Sequence, residues 1–126
     1  MAEPYVLALV PDLLFASRIE QALRHLGYRA EFAPDGATLL ARMRADPPAL
    51  VLVDLAARGV EPVAVIQALK QDPVGCGVPV VAFGPHRDTA ARTAAQQAGA
   101  VAVVANARLA LDLPDLVARY ARGARA

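Results

Sequence analysis

The sequence predicts an α/β domain built on a doubly wound, five-stranded parallel sheet with helices on both faces. Three observations carry that reading. Short apolar runs alternate with stretches of helical periodicity five times along the chain. Most of those runs are unbroken blocks of Val, Leu and Ala, as in strands buried on both faces, and crossover helices provide that cover. With 126 residues, 56% of them hydrophobic and 20% charged, the chain is long and apolar enough for one folded domain with a real core. Right-handed crossovers then fix the topology.

The elements follow in order. Tyr5 to Val10 is a fully apolar strand stopped by Pro11-Asp12. A helix follows, with Phe15, Ile19, Ala22, Leu23 and Leu26 on one face and Ser17, Arg18, Gln21, Arg24 and His25 on the other. Gly27 closes it. Tyr28 to Ala33 alternates and reads as a shorter strand. Pro34-Asp35-Gly36 turns into a helix carrying Leu39, Leu40 and Met43, which Asp46-Pro47-Pro48 ends. Ala49 to Val53 is a solid apolar strand that stops on Asp54. Glu61-Pro62 opens a third helix, with Pro62 suited to the first turn and Val65, Ile66 and Leu69 facing inward. Pro79 to Phe83 is the fourth strand, broken by Gly84-Pro85. An Ala-rich helix runs from Asp88 to Ala98 and stops at Gly99. Val101 to Ala105 is the fifth strand, and a last helix is expected from Pro114 to about Arg122.

Composition excludes several functions. A net charge of +1, with neither a basic patch nor interleaved aromatics, gives no case for nucleic acid. The single cysteine, Cys76, cannot form an internal disulfide and has no metal-ligand spacing around it. No apolar run approaches the roughly 18 residues of a membrane span. Glu3 and Pro11-Asp12 do not suit a signal peptide, so a cytoplasmic location is expected. Residues 1–126 read as a single domain; its basic end, 119–126, is a solvated helix terminus or the join to a further output domain.

Asp54 is the leading candidate for chemistry, because ligands of open parallel sheets gather beyond the carboxyl ends of the strands. The five units, with an Asp closing the third strand, resemble the CheY-like receiver domain of bacterial response regulators, a flavodoxin-like (βα)5 fold. The resemblance covers the whole chain and includes Gly27-Tyr28, Pro34-Asp35-Gly36 and Gln97-Ala98-Gly99-Ala100. It implies a phosphoacceptor at Asp54, a Mg²⁺ site formed with two acids ending the first strand, a Ser or Thr ending the fourth strand and a Lys ending the fifth. On this sequence the acids fall on Val10 and Pro11, the hydroxyl on Gly84 and the lysine on Asn106. The Pro after the lysine is Ala107, the aromatic switch of the fifth strand is Val103, and the Met-Pro step after the phosphoacceptor is Ala57-Arg58.

Such a site works by metal neutralisation of clustered carboxylates and electrostatic support of the moving phosphoryl group. Losing one preorganised contact of that kind typically costs about 10²–10³ in rate. With lysine and acids missing together, phosphotransfer falls on the order of 10⁴ or more. The chain therefore reads as a degenerate receiver, or pseudo-receiver: a signalling interaction module that is not an enzyme and has no cofactor. The alternative is a phosphoacceptor that uses Mg²⁺ held by Asp54 and Asp12. A third reading, a small flavodoxin-like ligand binder, lacks a Gly-rich phosphate loop after the first strand.

Bland roles stand beside each candidate. Asp54 also suits a structural carboxylate bonded to loop amides or to Arg58, and Asp12 an N-cap of the first helix. Arg58 pairs with Asp54 or is solvated; Asn106 donates toward Asp54 in the lysine's place or does not. His86 titrates at the crevice or is an ordinary loop residue, and His25 is surface. The Ala-rich fourth helix suits packing on the sheet or close approach of a partner. The resemblance implies a protein partner or homodimer at the face formed by helix 4, strand 5 and helix 5.

Overall fold

The computed structural model describes residues 4–121. Strands β1 (Tyr5–Leu9), β2 (Arg29–Phe32), β3 (Leu50–Asp54), β4 (Val80–Gly84) and β5 (Ala102–Ala105) alternate with helices α1 (Leu13–His25), α2 (Gly36–Ala45), α3 (Pro62–Gln71), α4 (Thr89–Ala98) and α5 (Asn106–Tyr120). The strands form one parallel sheet in the order β2-β1-β3-β4-β5. This is the doubly wound architecture that the apolar runs predict.

Side-chain alternation along each strand sorts the interior into two layers. Val6, Ala8, Leu50, Leu52, Val81 and Phe83 pack under α1 and α5 with Ile19, Leu23, Leu109 and Leu113. Tyr5, Leu7, Leu9, Val51, Val53, Val80 and Ala82 pack on the other face with Leu39, Met43, Ile66 and Leu69. β1, β3 and β4 are buried throughout, which is why their sequences leave no place for a polar residue until Asp54.

Local signals set the helix ends. Asp12, Asp35 and Asp88 each cap a helix, accepting hydrogen bonds from Phe15, Thr38 and Ala91 at 3.1, 2.8 and 3.0 Å. Gly27 and Gly99 end α1 and α4 with φ of +85° and +119°, where a side chain would be strained.

The last helix departs from expectation. It begins at Asn106, eight residues before Pro114, and carries Pro114 inside it. Pro114 forfeits one backbone hydrogen bond. Burial of Leu109, Leu113, Leu116 and Val117 on one stripe outweighs that loss, and their spacing was visible in the sequence. Arg119 pairs with Asp115 at 3.4 Å, while Arg122 and Arg125 of the basic end lie outside the described residues.

The turn after α3 is held by buried polar contacts. Asp72 is buried, accepts from the amides of Val74 and Gly75 at 2.8 and 3.2 Å, and pairs with Arg44. Lys70 donates to the carbonyl of Val78 at 2.6 Å. The hydrogen bond from Arg44, followed by that from the Val74 amide, holds the Asp72 carboxyl below the usual aspartate range. A carboxyl lowered on folding adds stability above its unfolded pKa and loses it as pH falls through the folded value. Asp72→Asn is therefore expected to melt lower than the parent at neutral pH. The gap should close in acid, below the ordinary aspartate range, in melts followed by circular dichroism across pH.

Candidate functional site at the sheet rim

The chain leaves β1 toward β2 on one side and β3 toward β4 on the other, so a crevice opens between the carboxyl ends of β1 and β3. Asp54 shares the parity of Leu50 and Leu52, which face α1 and α5. Its side chain enters a cleft of about 410 Å³ lined by Pro11, Asp12, Phe15, Asp54, Ala56, Ala57, Arg58 and Asn106. Phe15 is fixed there by an edge-to-face contact with Phe83, 5.2 Å between ring centres.

Asp54 is only 8% exposed. Its Oδ1 accepts from the amide of Ala56 at 2.9 Å, and the amide of Ala57 donates to its carbonyl at 3.1 Å, which folds the loop tightly over the strand end. Among the described residues no hydrogen bond reaches Oδ2. Burial raises the pKa of this carboxyl; the Ala56 hydrogen bond opposes the rise, and the negative charge of Asp12 adds to it.

The other candidates sort plainly. Asp12 lines the cleft, but its Oδ1 is occupied by the amide of Phe15 as the cap of α1. Arg58 is exposed at the rim and belongs to none of the ion pairs among the described residues, so it does not neutralise Asp54. Asn106 opens α5, and no hydrogen bond joins it to Asp54. Its Oδ1 is buried without a partner. His86 and His25 are exposed and outside this cleft.

Gly84 reveals a residue that the sequence reading missed. A Cβ built on Gly84 would lie 3.1 Å from the Leu55 Cβ and 3.4 Å from its Cδ1. The Leu55 amide donates to the carbonyl of Phe83 at 2.8 Å, which anchors the side chain over β4. Leu55 thus fills the space beside the position where a hydroxyl would stand. The available signal was a pair: a bulky residue directly after Asp54 and a glycine closing the neighbouring strand.

The side chains present do not fit magnesium. Val10 and Pro11 offer no side-chain oxygen, and Asp12 spends one of its two on the helix cap. Among the described residues no group of three or more His, Cys, Asp or Glu is placed to hold a metal. A parallel (βα)5 sheet with an acid closing its central strand is a doubly wound, flavodoxin-like domain with its candidate site at the strand ends. The response regulator receiver domain model matches residues 11–113, and the chain belongs to that family, which serves two-component signalling. None of the curated proteins matches the chain in sequence. Among solved structures it is similar to the receiver domain of a Pseudomonas aeruginosa PAO1 sensor histidine kinase with magnesium coordinated in its active-site cleft. The TM-score there is 0.84 at 21% identity, covering 94% of this chain and 98% of that one. Chemotaxis protein CheY4 of Vibrio cholerae gives 0.83 at 17%, covering 94% and 99%. NtrX of Brucella abortus gives 0.82 at 21%, and the match covers 95% of this chain but 27% of NtrX. At such identities the likeness is one of fold.

Two outcomes follow from the site. A carboxyl raised on folding withdraws stability as pH climbs from its unfolded pKa to its folded one, and the deficit persists above. Asp54→Asn should therefore melt higher than the parent at neutral pH, with the difference vanishing in acid. Gly84→Thr should lose about 1–3 kcal/mol through crowding against Leu55, read from urea midpoints. Adding Leu55→Ala should recover part of that loss; an unrelieved double variant would contradict the packing argument.

Proposed function

We propose that this receiver domain signals through contacts with a protein partner and without phosphorylation of Asp54, as a pseudo-receiver that catalyses no reaction of its own. The observation that carries this reading is Leu55 packed over Gly84. In a phosphorylation switch, a hydroxyl at that position follows the phosphoryl group and draws its loop inward. Here the hydroxyl is replaced by hydrogen and the loop by a fixed apolar contact. A phosphoryl group on Asp54 would have nothing there to pull.

The charge inventory supports the same reading. Phosphoryl transfer depends on positive groups placed where charge develops. Asn106 carries no charge, Arg58 is unpaired at the rim, and magnesium has too few oxygens to hold it. The face formed by α4, β5 and α5 is the surface proposed for a partner or a second copy. β5 is one of the sheet's two edge strands, half-buried along its length, with Val101 exposed beside it and small alanines along α4. Among the described residues no helix is long and apolar enough to cross a membrane.

A phosphoacceptor role for Asp54 remains the competing reading, because the carboxyl is retained at the rim with one oxygen free of protein hydrogen bonds. Acetyl phosphate or beryllofluoride with Mg²⁺ separates the two. The expected result is no mass adduct on the protein and unchanged amide resonances at Ala56, Ala57 and Gly84. Saturable shifts that disappear in Asp54→Asn would establish the phosphoacceptor instead.

A further inference from the structure

We propose that Cys76 and Lys70 form an acyl-relay site, in which the exposed thiol takes a small acyl group from an acyl thioester and passes it to the Lys70 amine. The pair stands before the start of β4, at the opposite end of the parallel sheet from Asp54. It is independent of whether Asp54 is phosphorylated.

Lys70 is the only lysine in the sequence, and its placement is fixed at both ends of the side chain. It sits in the last turn of α3, and its stem packs under Gly99, where a built Cβ would lie 2.7 Å from the Lys70 Cγ. Its nitrogen donates to the carbonyl of Val78 at 2.6 Å and to that of Gly75 at 3.4 Å. A neutral amine has two N–H donors and one lone pair. With both donors directed at carbonyls, the lone pair is left pointing away from them. Burial draws the Lys70 ammonium below the ordinary lysine range, while the charge of Cys76 opposes the fall.

Cys76 is held beside that nitrogen by a rigid turn. Gly75–Gly77 is a short 3-10 turn whose amides are tied to Asp72: Cys76 donates to its carbonyl at 2.9 Å and Gly75 to its Oδ1 at 3.2 Å. Gly75 is packed so closely on the end of α3 that a Cβ there would run into the Leu69 carbonyl and the Met43 side chain. The carbonyl that Lys70 holds is therefore the one joined directly to Cys76 by the peptide bond, which brings the two nucleophiles together. The outer side is open: Cys76 is exposed, and a Cβ built on Gly77 meets nothing within 4 Å.

This arrangement divides the work between two groups of different strengths. A thiol exchanges readily with a thioester, and cysteine is intrinsically the stronger nucleophile near neutral pH. Cys76 Sγ attacks the thioester carbonyl carbon, the bond to the incoming sulfur breaks, and the proton of the Cys76 thiol leaves with the departing thiol. The neutral Lys70 amine then attacks the same carbon. The C–N bond forms, the C–Sγ bond breaks, and the surplus amine proton returns to Cys76. One thioester is consumed, one free thiol is released, and Lys70 carries an amide; nothing is oxidised or reduced. The acylated nitrogen has lost its charge and keeps a single N–H, so it can hold only one of the two carbonyls.

The test incubates the full chain with acetyl-coenzyme A and follows acetylation of Lys70 by peptide mass spectrometry. Cys76→Ser should acetylate Lys70 at least about tenfold more slowly than the parent, because delivery within one molecule is lost. Lys70→Arg should stop at the thioester, with an acetyl group on Cys76 that hydroxylamine removes. Acetic anhydride, which attacks amines directly, should label Lys70 equally in the parent and in Cys76→Ser. An equal loss with both reagents would trace the effect to a disturbed amine and overturn the relay. So would equal rates with acetyl-coenzyme A in the parent and Cys76→Ser, an unacetylated Lys70 in the parent, or no labile acetyl group in Lys70→Arg. Should Cys76→Ser fail to fold, the parent with Cys76 capped by methyl methanethiosulfonate takes its place.

Discussion

A carboxylate held nine-tenths out of water, with no cation against it, is the constraint around which this domain is arranged. Parallel strands buried on both faces admit no polar side chain until they end, so the first position where an acid can stand is the rim. Asp54 takes that position and keeps a single amide bond, from Ala56. Burial and the neighbouring charge of Asp12 both work against its ionised form.

The second feature is the packing at the strand ends. In a switching domain the loops around the acid have two arrangements of nearly equal free energy, and a ligand chooses between them. On the β4 side Leu55 packs beside Gly84, in the space next to where a hydroxyl would stand. On the β1 side Asp12 is tied to the first turn of α1. Belonging to the receiver family is compatible with changed residues at the strand ends, since the two large core layers that define the fold lie below the rim.

Much of this was legible in the residue order. Unbroken apolar runs gave the buried parallel strands, helical periodicity gave the inward faces of α1 and α3, and glycines marked the ends of α1 and α4. The sequence puts Asp54, Asp12, Arg58, Gly84 and Asn106 at one pocket; Asp54, Asp12, Arg58 and Asn106 line the cleft, and Gly84 is not part of its lining. The start of α5 departs from the sequence expectation: Pro114 suits a helix opening, but Leu109, Leu113, Leu116 and Val117 form one stripe that carries the helix back to Asn106. Propensity yielded there to burial.

The sequence by itself determined the alternation, the sheet type, the acid at the rim and the absence of a lysine and a hydroxyl where the resemblance calls for them. These are properties of residue identity and spacing, which need no coordinates. Only the tertiary structure decided that Leu55 occupies the room beside Gly84, that Arg58 stays at the rim, that Asn106 leaves a buried oxygen unpaired, and that Leu13 and Leu14 face outward beside the acids. Those outcomes depend on which side chains meet across elements distant in sequence. Local periodicity carries no information about such meetings until the sheet has closed.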